Sequence, residues 1–117
     1  MTYEQYKISF KSGYYLTVFG TANWNSTEIK NVIAELNCTR NVLVDEKHLK
    51  NHMPFYLATY LGGNSEPDCN VTIEYDKGSE KISDIFKIPE KCNMSLADFP
   101  CVRHADLNCH LGNITFS

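Results

Sequence analysis

Cysteine is the feature that most constrains this chain, because cross-links between cysteines limit how the chain can be arranged. There are five cysteines in 117 residues, with three in the last 26 positions: Cys38, Cys69, Cys92, Cys101 and Cys109. None of them has the CxxC spacing of a zinc knuckle, so disulfides in an oxidising compartment are the better explanation. The spacing does not determine the pairing. The odd number predicts that at least one cysteine is free, pairs between chains or lacks its partner.

Glycosylation motifs indicate the same compartment. Five Asn-x-Ser/Thr acceptors are present, at Asn25, Asn37, Asn70, Asn93 and Asn113. The composition predicts only about 1.5 such motifs by chance. We therefore predict a secreted or lysosomal glycoprotein. The polar start, Met1 to Glu4, has no apolar signal-peptide stretch, so we expect a longer precursor or a truncated member of a larger family.

Composition excludes several classes of protein. At 43% apolar residues, the chain has enough material for one modest core, and we predict a single domain over residues 1–117. The net charge is −3 and the positive residues are scattered, which argues against a nucleic-acid partner. No apolar run has the roughly 18 residues that a membrane span needs. The sequence predicts no cofactor and no metal ion.

Hydrophobic periodicity predicts a strand followed by a helix. Tyr14 to Phe19 is almost continuously apolar, which is typical of a strand buried on both faces. Asn25 to Thr27 supplies helix N-cap residues. The next apolar residues have helical i, i+3, i+4, i+7 spacing, at Ile29, Val32, Ile33 and Leu36. The pattern predicts an α/β fold with a mixed sheet and a strand-helix unit at 14–36.

The rest of the chain is predicted to complete that sheet. Asp45 to Met53 is interpreted as a second helix that ends at Pro54. Phe55 to Leu61 is predicted to be a strand, and residues 69–88 a hairpin in which polar and apolar residues alternate. Residues 90–117 are predicted to be a cysteine-rich loop region held by disulfides.

Residues 14–99 resemble the C-terminal part of the histidine acid phosphatases. That family has a Pro-x-Tyr-Ala-type strand, an alternating strand that ends in Tyr, an Ile-Pro-Gly-Cys-type turn and a Cys-Pro-Leu-x-x-Phe segment. The corresponding segments here are Pro54-Phe55-Tyr56-Leu57-Ala58, Val71-Thr72-Ile73-Glu74-Tyr75, Ile88-Pro89-Glu90-Lys91-Cys92 and Ser95-Leu96-Ala97-Asp98-Phe99. The resemblance implies a phosphomonoester hydrolase family. It also implies disulfides from the C-terminal cysteines to earlier parts of the chain.

The catalytic motifs of that family are missing from this sequence. There is no Arg-His-Gly near the start to supply the nucleophilic His, and Gly20 to Thr27 contains neither the His nor the Asp of the family's acid motif. Asn23 or Asn25 could keep hydrogen bonds there but could not donate a proton as an acid. The resemblance therefore implies a catalytically inactive relative that lacks its N-terminal half or forms a dimer.

The alternative is a secreted, glycosylated binding module without enzymatic activity. Ala22-Asn23-Trp24-Asn25-Ser26-Thr27 and Asn37-Cys38-Thr39 resemble signposts of CUB-like domains of nematodes. A CUB-like module would contain almost no helix. The helical period from Ile29 to Leu36 argues against it.

Three further sets of residues have a possible chemical role beside a simpler structural one. Arg103-His104-Ala105 resembles the nucleophile motif of histidine phosphatases, but an exposed loop is the simpler interpretation. His48 and His52 have a helical metal-binding spacing, and His110 follows Cys109. Neither has the further ligand or partner that metal binding or catalysis requires.

Aromatic residues are the last candidates. Trp24 could anchor a ligand, although packing over the predicted helix is its simpler role. Tyr14, Tyr15 and Phe19 are all predicted to lie in the core.

Overall fold

The computed structural model describes residues 13–62, 68–88, 92–99 and 102–117, without the side chains of 93–99 and 102–105. These residues form eight β-strands and no helix. The strands are β1 (Tyr14–Trp24), β2 (Ile29–Cys38), β3 (Val42–His48), β4 (Met53–Leu61), β5 (Cys69–Lys77), β6 (Glu80–Ile88), β7 (Cys92–Phe99) and β8 (Val102–Phe116). The predicted α/β fold is therefore wrong, and this part of the chain is all-β.

The strands form two four-stranded sheets. Sheet A has the order β4-β1-β8-β7 and sheet B the order β3-β2-β5-β6. Every pair is antiparallel except β1 and β8, which run parallel at the centre of sheet A. The chain passes from β3, at one edge of sheet B, to β4, at one edge of sheet A.

The inner faces of the two sheets form one hydrophobic core. Leu16 and Val18 of sheet A are fully buried, as are Val71 and Ile73 of sheet B. They lie two positions apart on their strands because side chains of a strand alternate between its two faces. The architecture is that of a β-sandwich.

A β-bulge explains why β2 was predicted to be a helix. Between two successive pairs in the register, β2 advances three residues, from Lys30 to Ile33. Strand β5 advances only two, from Asp76 to Glu74. One extra residue on β2 keeps Ile29 and Val32 on the same, buried face. The bulge thus produces the i, i+3 spacing that also marks a helix. The left-handed backbone of Asn31 (φ 55°) accommodates the bulge.

Other predicted elements also differ from the structure. The predicted helix from Asp45 is replaced by β3, an edge strand whose charged residues suit an edge better than a central position. β1 is buried on one face only, since Tyr15 and Phe19 are exposed. Residues 90–117, predicted to be loop-rich, contain β7 and β8.

Two predicted elements are confirmed. The strand predicted at Phe55 to Leu61 is β4, and the hairpin at 69–88 consists of β5 and β6 in antiparallel register. The strand-helix-strand order implied by the phosphatase resemblance is absent from the described residues, because the predicted helix is β2. The described residues contain no helix, so a helical period at Ile29 to Leu36 no longer argues against the CUB-like alternative.

Two disulfides each join neighbouring strands of one sheet. Cys38 of β2 bonds Cys69 of β5, and Cys92 of β7 bonds Cys109 of β8. Each pair consists of cross-strand partners in the register. Cys101 lies outside the described residues. The two disulfides are compatible with a secreted or extracellular protein.

A carboxylate joins the two sheets where β3 passes β4. One oxygen of Asp45 accepts a hydrogen bond from the backbone N–H of Ala58 at 2.8 Å, and the other accepts one from the N–H of Glu46 at 2.9 Å. β4 is an edge strand, so on one side its N–H groups have no neighbouring strand within sheet A. Asp45 therefore connects the edge of sheet B to the edge of sheet A.

Burial of Tyr75 makes the stability of the fold depend on pH in the alkaline range. Its ring packs on Phe116 of the opposite sheet, with 4.6 Å between ring centroids. Burial raises the pKa of the Tyr75 phenol above its ordinary 10.0, and the negative charge of Asp84 adds to this. The folded protein thus favours the neutral phenol. The stability that the buried, neutral Tyr75 contributes is complete below pH 10, and it is lost as the pH rises through the higher pKa of the folded state.

We expect Tyr75→Phe to remove this alkaline loss. The free energy of unfolding of the native chain should fall between pH 9 and pH 11 more steeply than that of the variant, measured by urea denaturation at each pH. Lysine ionisation is common to both proteins and cancels in the difference. Parallel pH profiles would show that the Tyr75 phenol does not titrate differently in the two states.

Candidate binding surface

The outer side of sheet A carries a set of exposed aromatic rings. Because Val18 and its partner Leu57 point into the core, the flanking positions of β1 and β4 point outward. These positions hold Tyr15 (49% exposed), Phe19 (37%), Tyr56 (55%) and Tyr60 (51%). His110 of β8, the exposed partner of Phe19, completes the set. We call these five residues the aromatic face.

The rings of the aromatic face form two groups. At one end, Tyr15 and Tyr60 are cross-strand partners in edge contact, with 5.1 Å between centroids. At the other end, Phe19 stacks on His110 at 5.2 Å. Tyr56, the partner of Phe19, has the ammonium of Lys47 5.3 Å from its centroid. Such contacts hold rings in place and limit the entropy lost when a ligand binds.

Smaller side chains separate the two groups. Tyr15 and Phe19 are four residues apart on β1, which corresponds to roughly 13 Å along a strand. The outward position between them is Thr17, and its neighbours in the register are Ala58 of β4 and Asn108 of β8. The middle of the surface therefore carries smaller side chains, with a hydroxyl and an amide group, and an aromatic group lies at each end.

A groove continues the aromatic face toward the end of β1. Its volume is about 270 Å³, and its lining includes Phe19, Thr21, His110 and Asn113. Gly20 makes room for the ring of Phe55, another lining residue, because a Cβ at position 20 would lie only 2.9 Å from that ring. A second cavity of about 220 Å³ lies beside β4, lined in part by Lys47, His48, Lys50 and Tyr56.

The outward positions of sheet A combine aromatic and hydrogen-bonding side chains. Beyond the aromatic face, the outward positions of β1, of β4 and of β8 from residue 106 onward are Thr17, Thr21, Asn23, Pro54, Ala58, Asp106, Asn108, Asn113 and Thr115. None of these is Leu, Ile, Val or Met. Sheet B differs, because exposed Val42, Leu43 and Val44 lie on its edge strand β3 and Ile85 is 66% exposed on β6. The two outer faces thus suit different contacts.

The histidines singled out from the sequence lie in different elements of the fold. His48 ends β3, while His52 lies in the turn before β4 and makes a 2.9 Å hydrogen bond between its Nδ1 and Oδ1 of Asn23. Among the described residues, no three His, Cys, Asp or Glu side chains are grouped to hold a metal ion. His110 belongs to the aromatic face, and its neighbour Cys109 is in a disulfide.

Arg103 and His104 lie in β8, where a loop was predicted, and their side chains are not among those described. Trp24 ends β1 and does not pack on a helix. Its backbone N–H and C=O both bond the side-chain amide of Asn51, at 2.8 and 2.6 Å. Its ring lies 6.3 Å from that of Phe116, at the end of the core.

The glycan acceptors lie on different surfaces. Asn25 follows β1 and is exposed, as is Asn113 at the end of the aromatic face. Asn37 and Asn70 are half-buried on the outer side of sheet B. Asn93 lies in β7, and its side chain is not among those described.

Comparisons with known proteins give no family for this chain. No protein-family model, curated protein or solved structure matches it significantly. Within the described part of the chain, no helix has the length and hydrophobicity needed to cross a membrane.

The aromatic face was missed in the sequence, although a signal for it is present. Tyr15, Thr17 and Phe19 alternate with buried residues on β1, and Tyr56, Ala58 and Tyr60 have the same two-residue period on β4. Aromatic residues in a strand usually indicate a core. Period-two alternation of Tyr with small residues, on two strands that pair, is the pattern that indicates an exposed aromatic surface.

Proposed function

We propose that this protein is a secreted, glycosylated binding module that binds carbohydrate through the aromatic face of sheet A and has no phosphatase activity. The observation that carries the proposal is the grouping of Tyr15, Phe19, Tyr56 and Tyr60 on one outer face. Exposed aromatic residues so close together are uncommon on a surface that binds nothing. The cross-strand disulfides and the acceptor motifs support an extracellular setting.

Carbohydrate is the ligand class that matches these side chains. A sugar ring has an apolar C–H face and a rim of hydroxyls, so it needs aromatic rings for the one and hydrogen-bonding groups for the other. Asn108 and Thr17 lie between the two aromatic groups, and Asp106 is the partner of Tyr15 on β8. Seven of the nine outward positions named above carry hydroxyl, amide or carboxylate groups, which suits a ligand rich in hydroxyls.

Nothing in the described geometry favours the phosphatase hypothesis over the binding module. The motifs for a nucleophile and an acid are missing from the sequence, and Asn23 is hydrogen-bonded to His52 and lies 3.5 Å from Asn113. We expect no hydrolysis of a generic phosphomonoester by the purified protein. The His104→Ala variant serves as the matching control should any activity be found.

The test is a glycan array, followed by affinity measurements on the saccharides retained. Tyr15→Ser combined with Tyr60→Ser should weaken binding at least tenfold, because both rings at one end are removed. Ile85→Ser is the matched control, since it removes an exposed side chain from the other sheet, and it should bind like the native chain. Circular dichroism should show the same β-structure in all three proteins.

Two results would contradict the proposal. One is that no saccharide on the array is retained by the native chain. The other is equal binding by the double tyrosine variant, which would place the ligand elsewhere. Asn113→Gln belongs in the same series, because a glycan on this acceptor would lie beside Phe19 in the groove. We expect this variant to bind at least as well as the native chain.

A further inference from the structure

The register of sheet B brings two glycan acceptors together. Asn37 of β2 is the cross-strand partner of Asn70 of β5. Their neighbours Cys38 and Cys69 point into the core and form a disulfide, so both asparagines point outward. Directly opposed residues of an antiparallel pair have Cβ atoms about 4.5–5.5 Å apart. Two acceptors that are distant in sequence therefore occupy one position on the surface.

We propose that Asn37 and Asn70 form a single glycan site, so that the folded, secreted protein carries one N-linked glycan at one of the two and never at both. An N-linked glycan is bulky, and its first sugar would cover the neighbouring acceptor. β2 and β5 are the two central strands of sheet B, with β3 and β6 beside them. The glycans consequently have no free sheet edge toward which they could separate.

The folded structure also determines when the sugar is added. In the first motif, Cys38 is held in the disulfide, and the N–H of Thr39 donates to the carbonyl of Asp68 at 2.8 Å. The second motif lies within β5, which pairs with a strand on each side. Neither backbone is free to enter an enzyme, so the sugar must be attached before the strands pair. Chains that receive two sugars then place both over one cross-strand pair on folding, and these chains are lost from the secreted population.

The consequence concerns the outer side of sheet B. A glycan on this pair covers the outer side of sheet B, whose outward neighbours include Glu35 and Thr72. The outer side of sheet A, with the aromatic face, stays uncovered by it. This inference concerns modification alone and does not depend on the carbohydrate-binding proposal.

The experiment counts glycans by intact mass before and after enzymatic deglycosylation. The full chain, preceded by an added signal peptide that is removed on secretion, is produced in a eukaryotic host as the native sequence, Asn37→Gln, Asn70→Gln and the double variant. We expect the native chain and both single variants to carry equal numbers of glycans, because the remaining acceptor takes the sugar. The double variant should carry one fewer. Asn113→Gln is the matched control. Its partner on β1 is Thr21, which is not an acceptor, so a glycan lost from Asn113 cannot be replaced by one on its cross-strand partner.

Three results would overturn the inference. If the double variant loses two glycans, both acceptors are occupied together. If it loses none, the pair is not modified. If only one single variant loses a glycan, a single fixed acceptor is used and the pair does not share its sugar.

Discussion

Ala34→Lys is expected to unfold this protein or come close to it, whereas Ile33→Lys should leave it folded. Ala34 is fully buried on the inner side of β2, where its register partners are Lys47 and Ile73. A lysine there would bury an unpaired charge and overfill the core, at a cost of about 4 kcal/mol or more. This is a large fraction of the stability of a typical domain, about 5–15 kcal/mol.

Ile33 is the matched control because it is adjacent in sequence and has the opposite orientation. Its side chain is only partly buried, and its partners across the sheet are His48 and Glu74. A lysine at position 33 can lie beside the carboxylate of Glu74, which is a favourable cross-strand pair. We expect a change of less than about 1 kcal/mol in the free energy of unfolding.

Urea denaturation of the two variants distinguishes the strand from the helix. In the helix predicted from the sequence, position 33 faces the core and position 34 faces the solvent, so the order of the two effects would be reversed. If Ala34→Lys is too unstable to purify, Ala34→Val gives a measurable loss of about 1–3 kcal/mol by overpacking. A stable Ala34→Lys beside an unstable Ile33→Lys would refute the assignment of β2.

Removal of the Cys38–Cys69 disulfide has the second-largest expected effect. The bond closes a loop with a sequence separation of 31, and both cysteines are buried. Its loss in the variant with Cys38→Ala and Cys69→Ala should lower the free energy of unfolding by about 3–4 kcal/mol, since the unfolded chain gains freedom. The midpoint of urea denaturation under oxidising conditions measures this loss.

The second disulfide supplies a control of the same chemistry. Cys92 and Cys109 also join neighbouring antiparallel strands, but with a sequence separation of 17. Loop-closure entropy predicts that their replacement by alanine costs about 0.5 kcal/mol less than replacement of the first pair. A native midpoint in either double-alanine variant would mean that the bond contributes nothing to stability.

The sequence was most informative where short-range patterns act alone. Strand β5 was predicted from alternation, because its inner and outer residues differ in polarity at every step. Strand β4 was predicted at Phe55 to Leu61, within two residues of its observed start. Cysteine spacing and acceptor motifs indicated disulfides, two of which the structure contains, although spacing did not select the pairs.

The sequence was misleading on β2 because a bulged strand and a helix can place apolar residues at the same positions. Ile29, Val32 and Leu36 are buried in the structure, as a helix would also require. Only the pairing with β5, which skips one residue of β2, shows that Ala34 also faces the core. Such pairing depends on a strand more than thirty residues away, and no local pattern contains it.

The sequence by itself determined that disulfides form, that residues 69–88 make an alternating hairpin, and which residues are apolar enough for a core. The tertiary structure decided which face of each strand meets the other sheet. That choice placed Tyr15 and Phe19 outside and Tyr14 inside, and the register between β2 and β5 made partners of Asn37 and Asn70. The physical reason is that a strand has two equivalent sides, and only packing against a second sheet makes one of them the interior.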